Sequence, residues 1–528
     1  VGVRGLASVA LIVVCAGLVG GPLLALAVMV GEGEPAAVMI ALTRAQLPTL
    51  ALSVFSMGAG AVAWALVAAV PLAWLVERTD MPFRRAIVWL APLPLAVPPY
   101  VAAIAYAQLL GRAGTLHTWL ATAQGVPPSG LAWPIFIYGN GGAAFILGLF
   151  TAPSLFLIVR AALTRASPTL EEASRGLGFG PWRTFLRVTL PLIFPAIAGG
   201  AILVFVYAAV DFGVVSLLRA RTVTTTLYTY LLSGYSRPAS AAIALGLVSV
   251  IWVCLAFQSL ALRRVTPAGQ GQRAHFGARV LSLGAWRWVA LVYAVVVLGL
   301  GLLVPVAVLV GNAAQLGADL LPAFMLAQLP YLRRSLYVSA AGASFALLLS
   351  LIVALARVYL RVARPAGTLL QAGYALPGTV LGIALVALLL RVVPDLYGTA
   401  GALIIAYVVM FSAPAFQASR SALVQVTPSL EAAARGLGSS PVEVLRRVTL
   451  PLAAPGLVGG WALCFALAFR ELAATIVIRP PGYDTLAVRI WAHTMDVGPD
   501  PRASAVALLM LVVAAGVWIV AWRFGNRQ

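Results

Sequence analysis

The feature that most constrains this chain is the repetition of long, uninterrupted apolar runs. A hydrocarbon core of ~30 Å needs about 20 apolar residues per helical span, and roughly twelve runs meet that length. They lie near 8–30, 49–76, 86–110, 141–162, 191–215, 240–262, 285–310, 335–360, 367–391, 398–419, 451–475 and 503–523. The runs are apolar all round and lack the period-2 alternation of a membrane barrel, so an all-α integral membrane protein with about twelve transmembrane helices is expected. A mean hydropathy of +1.00 and 9% charged residues agree, since so little polar surface cannot cover soluble domains of this size. The first run is too long for a signal peptide and leads into further spans, which makes it the first transmembrane helix.

The formal net charge of +20 would suggest nucleic acid in a soluble protein. Here it follows topology instead. With a cytoplasmic N-terminus, the loops after even-numbered runs hold most of the arginines, among them Arg78, Arg84, Arg85, Arg175, Arg183, Arg187, Arg435, Arg446 and Arg447. The positive-inside rule therefore predicts cytoplasmic N- and C-termini, the lipid bilayer as a partner and no nucleic acid. All 35 basic residues are arginine, so neither a P-loop nor a Schiff-base lysine can be housed in its usual form. Cys15, Cys254, Cys464, His117, His275 and His493 are scattered. No metal site and no catalytic group is predicted.

The chain repeats itself. EEASRGLGFGPWRTFLRVTLPLIFPAI from Glu171 returns as EAAARGLGSSPVEVLRRVTLPLAAPGL from Glu431, an offset of 260 that Phe205 and Phe465, and Asp211 and Glu471, also keep. AVPP at 96–99 resembles ALPG at 375–378 at a slightly different offset. Six spans per half is an even number, so the halves enter the membrane in the same direction as parallel repeats. Residues 1–263 form the first repeat, 264–284 a polar, basic cytoplasmic linker, and 285–528 the second repeat.

Each repeated segment reads as a helix–turn–helix outside the bilayer. Thr427 is placed to cap a helix with Pro428 at its first position and Glu431 near the positive dipole end; Ser167, Pro168 and Glu171 match them in the first copy. Gly178 and Gly438 are natural stops. A second short helix begins at Pro181 and Pro441, with Ser440 and Glu443 forming a capping box, and Pro191 and Pro451 start the next span. The segment could lie on the membrane surface or dock into another protein; its duplication favours docking.

These residues resemble the EAA loop of binding-protein-dependent ABC importer permeases. The pattern reads as Glu172, Ala173, Ser174, Gly178, Val188, Leu190 and Pro191 in the first half, and as Ala432, Ala433, Ala434, Gly438, Val448, Leu450 and Pro451 in the second. The second copy carries its glutamate one step earlier, at Glu431. The resemblance implies a type I importer permease of the bacterial cytoplasmic (inner) membrane. It further implies no cofactor on this chain, ATP bound and hydrolysed by two separate ABC ATPase subunits docked on the loops, and a substrate-binding protein outside. Two halves in one chain resemble the fused iron(III)-type permeases, as do the stretches from Val210 and from Arg470. Fused thiamine permeases share the layout. A six-plus-six secondary transporter is the alternative outside this family, although the chain lacks its characteristic basic motif after the second span.

Asp211 and the pair Arg470–Glu471 fall about 20 residues beyond Pro191 and Pro451, ~30 Å along a helix. They either end the spans as solvated charges or line an outer gate. Pro98, Pro99, Pro377 and Gly378 should break the third span of each half, as simple kinks or beside a cavity.

Overall fold

The computed structural model describes residues 2–525 apart from 113, 134–136, 167, 234–235, 264–280, 360–363, 374–375 and 498–499. The predicted linker and Ser167 therefore lie outside the described residues, the linker's last residues excepted. Among the described residues nine helices are long and apolar enough to cross a membrane. Two more spans are broken: Arg84–Ala96 with Pro99–Ala123, bent by 90°, and Pro365–Gly373 with Gly378–Val392, bent by 111°. The twelfth apolar run lies on the helix Pro501–Gly525. Each expected run thus has its helix, and the two broken spans are the ones that carry the Pro98–Pro99 and Pro377–Gly378 pairs.

Within each half the second, fourth and fifth spans pack on one another: Leu47–Arg78, Asn140–Arg165 and Pro181–Val210, then Leu329–Tyr359, Ala400–Gln425 and Pro441–Phe469. Backbone proximity is bought with small residues. A Cβ on Gly200 would sit 2.5 Å from Leu155 Cδ1, and one on its repeat partner Gly460 would sit 2.5 Å from Ala418 Cβ. The first spans cross over. Gly2–Gly31 lies against the broken third span of the second half, and the helix Val304–Ala314 lies against Pro99–Leu110 of the first. Gln108 ties that crossing, accepting from Asn312 Nδ2 at 2.7 Å and Ser504 Oγ at 2.9 Å.

The halves differ most between their third and fourth spans. Residues 111–139 of the first half include the helix Thr115–Ala123, whereas 393–399 of the second make a short turn. This extra stretch explains why the proline pairs repeat at a different offset from the EAA segments.

The chain entering the second half is pinned to the first. Leu281 forms an isolated parallel bridge with Thr79: Leu281 N donates to the Arg78 carbonyl at 2.9 Å and Asp80 N donates to the Leu281 carbonyl at 3.1 Å. Leu283 N donates to Asp80 Oδ1 at 2.8 Å, a bond that holds the Asp80 carboxyl below its usual range.

Candidate functional site

Both repeated segments fold as the sequence predicts in outline. A helix, Pro168–Gly176 or Pro428–Gly436, ends at a glycine turn where Gly178 (φ +84°) and Gly438 (φ +89°) take the left-handed geometry that other residues rarely adopt. A second helix then starts at Pro181 or Pro441. Ser440 and Glu443 make the reciprocal capping box. Thr427 does not cap with its side chain, which corrects the expectation for it.

A second correction concerns Pro191 and Pro451. They do not begin their spans; each lies inside one continuous helix, Pro181–Val210 or Pro441–Phe469. A proline inside a helix lacks its N–H and clashes with the carbonyl four residues back. The turn just before each proline widens to π geometry, Phe185–Thr189 and Leu445–Thr449, and this accommodates the ring without ending the helix. The second short helix and the fifth span are therefore one rod.

The placement of the glutamates settles which positions correspond. Thr189 Oγ1 donates to Glu171 Oε1 at 3.0 Å, and Thr449 Oγ1 donates to Glu431 Oε1 at 2.8 Å. Both glutamates are buried, while Glu172, Ala173 and Ala433 are exposed. The carboxylate common to the two copies is thus Glu171 and Glu431, and it braces the segment from within. In the first copy Arg78 Nε lies 3.0 Å from Glu171 Oε1, with both side chains 5% exposed. Its Nη2 donates to the Leu163 carbonyl at 2.8 Å. Arg78 thereby joins the ends of the second and fourth spans to the segment. Arg78, Thr189 and Thr449 were not singled out from sequence, because their contacts to the glutamates cross 93 or 18 residues.

Facing outward, the same positions are apolar in both copies. Leu170, Leu177 and Trp182 repeat as Leu430, Leu437 and Val442, all exposed, with Leu177 at 79% and Leu437 at 88%. Leu190 and Leu450 are half-buried behind them, and Pro191 and Pro451 are exposed.

The charges at the far ends of the rods are not solvated helix ends. After Val210 and Phe469 the chain turns into short helices, Gly213–Leu217 and Ala473–Ile478, most of whose residues are buried. Asp211 Oδ1 accepts from Val214 N at 2.7 Å and Glu471 Oε1 accepts from Ala474 N at 2.9 Å, so both acids cap the helix that follows. Asp211, Arg470 and Glu471 line a cavity of about 470 Å³ between the halves. Its walls also include Val97, Pro98, Pro99, Leu376, Pro377 and Gly378. The broken third spans therefore border a cavity, and are more than kinks. From Asp211 the lining steps back along the rod through Tyr207, Leu203 and Gly200, toward the end that carries the EAA segment. Beyond the acids, Trp491 Nε1 donates to Ser216 Oγ across the halves at 3.1 Å, and the rings of Phe212, Tyr228 and Trp491 pack together.

The model for binding-protein-dependent transport system inner membrane components matches residues 62–268 and again 346–523. The chain belongs to this family. It matches twice, once in each half of the chain. A Fe(3+)-transport system permease protein of Haemophilus influenzae is 27% identical over 466 residues, covering 84% of this chain and 83% of that protein. A ferric transport system permease protein of Actinobacillus pleuropneumoniae is 25% identical over 485 residues, 85% of this chain and 68% of that protein. A molybdenum transport system permease protein of Escherichia coli is 29% identical over 217 residues, 39% of this chain but 90% of that protein. One half here thus spans nearly a whole permease of that kind. The chain is the permease of an ABC importer, carrying both halves, and its relatives are transport permeases rather than enzymes.

Proposed function

We propose that this permease carries iron(III) inward, fed by an extracytoplasmic binding protein and driven by two ABC ATPase subunits seated on its two EAA segments, with both termini and both segments in the cytoplasm. Iron is favoured as cargo by the ferric permeases that align with both halves over most of the chain. The membership in this family sets aside the secondary-transporter alternative.

The observation that carries the coupling role is the matched apolar knob. Leucines at 170, 177, 430 and 437 stand exposed on segments that also expose arginines. Exposed apolar groups at the same positions of two copies suit burial in a partner's cleft, where each fully covered leucine contributes ~1.5–3 kcal/mol. The knob has two routes inward. One is the buried contact of Glu171 to Arg78, and so to the second and fourth spans. The other is the rod itself, which begins in the knob at Pro181 or Pro441 and ends beside Asp211 or Glu471. A helix of 30 residues is ~45 Å long. Movement of the knob by a closing ATPase dimer would tilt that rod and displace the charged end at the cavity.

The test is co-purification of an ATPase with the permease, and ATP hydrolysis stimulated by the binding protein, after Gly178→Val together with Gly438→Val. A β-branched residue at positive φ should distort both turns. The expected result is loss of ATPase capture and of stimulated hydrolysis; an ATPase that stays bound and coupled would remove the coupling role.

A further inference from the structure

Double prolines create a problem that the two halves solve together. In the turn Leu93–Ala96 the carbonyl of Leu95 would ordinarily accept from the amide three or four residues on. Those residues are Pro98 and Pro99, and neither has an N–H. An orphaned carbonyl at a buried helix break costs free energy comparable to a lost hydrogen bond. The donor comes from the other half: Arg470 Nη1 donates to the Leu95 carbonyl at 2.8 Å, across 375 residues of chain.

The sequence supplies the two parts of this arrangement on one side only. At the repeat position of Pro99 the second half has Gly378, which keeps its N–H, and at the repeat position of Arg470 the first half has Val210. The half that lost the amide is not the half that gained the guanidinium. Arg470 also lies next to Glu471, whose carboxylate caps the helix roofing the cavity, and both residues line that cavity. Gly378 itself admits the same roof, since a Cβ there would lie 2.8 Å from Glu471 Oε1 and 2.9 Å from Ala473 Cβ.

We propose that Arg470 is a positioning residue that latches the second half to the broken third span of the first, holding the outer end of the cavity closed until the rods move. The proposal rests on the cavity being the transport path. Opening the outer end requires the two halves to part beside Leu95, and the guanidinium–carbonyl bond must break as they do. A charge-assisted bond to this carbonyl gives the closed state an advantage on the order of tenfold in population.

The test measures access from outside and needs no ATP turnover. Ser154 lines the cavity and is exposed to it. Cys15, Cys254 and Cys464 are replaced by alanine, Ser154→Cys is introduced in the full chain with its partners in spheroplasts, and labelling by a membrane-impermeant maleimide is timed. Arg470→Met, which removes the donor but keeps the length, should label about tenfold faster than the parent. Arg470→Lys, which keeps a donor, should stay within about threefold of it. Should Arg470→Met not accumulate, Arg470→Leu, which also lacks a donor, takes its place with the same expected ordering. Parental labelling in Arg470→Met overturns the latch even if the parent labels during ATP turnover. A probe that stays dark from outside in every variant and during turnover overturns the latch together with the cavity as the path.

Discussion

The two EAA segments share a backbone and differ in what holds it. In the first copy the turn is clamped by Phe179 under the guanidinium groups of Arg183, 5.2 Å from the ring centroid, and Arg187, 6.0 Å away. Ser174 and Thr184 hydrogen-bond between its helices at 3.0 Å, and Glu171 is locked to Arg78. In the second copy Ser439 replaces the phenylalanine, Ala434 and Val444 replace the hydroxyl pair, and stability comes from the capping box at Ser440. The arginine that ends the second span there, Arg357, lies over the Phe416 ring at 5.9 Å. Both knobs keep the buried threonine–glutamate bond; around it the first adds an arginine, a hydroxyl pair and a ring clamp, and the second a capping box. The lesson is that the outward face is held constant while the scaffold behind it is free to change.

The comparison breaks most sharply at the two arginines. Arg78→Ala takes from Glu171 its buried partner on the second span and leaves it Arg175 at 3.5 Å and Thr189 at 3.0 Å; the expected loss is about 1.5–3 kcal/mol, read as a fall in the midpoint of thermal unfolding of the purified protein. Arg357→Ala removes a ring contact worth about 0.5–2 kcal/mol and should shift the midpoint less. Equal losses would show that the second copy also hangs on its arginine.

A smaller effect separates the caps. Ser440→Ala should cost about 1 kcal/mol, whereas Thr427→Ala, at a cap whose side chain makes no such bond, should stay within about 0.5 kcal/mol. Hydrogen exchange of the amides at the start of each helix would register the difference locally.

The smallest effect is a pH response confined to the second copy. The Ser440 amide, the Ser440 hydroxyl and Arg447 lower the Glu443 pKa from 4.5. A depressed folded-state value means that its contribution is complete above the ordinary glutamate range and is lost as pH falls through the lowered value. The first copy has Arg183 at the matching position. Exchange measured between pH 6 and the acid limit should therefore loosen the turn at Ser440 and not the one at Gly180.

Much of this was legible in the sequence because it is local or periodic. Apolar length located the nine membrane-length helices and the two broken ones seen among the described residues, Pro98–Pro99 and Pro377–Gly378 located both breaks, and Gly178 and Gly438 located the turns. What escaped was carried by contacts distant in sequence. Glu172 matched the motif, but burial selects Glu171, and only the fold brings Arg78 and Thr189 to it. Counting ~1.5 Å per residue from Pro191 placed Asp211 at a membrane surface. The chain instead folds back over the acid as Gly213–Leu217, a short buried helix with too few residues to give a periodic signal.

The link from Arg470 to Leu95 has a consequence for how such a molecule is made. If two identical subunits were paired, symmetry would give this link on both sides or on neither. Joining both halves on one polypeptide writes the inequality once into every molecule synthesised, so lock and keeper always arrive together in a ratio of one to one.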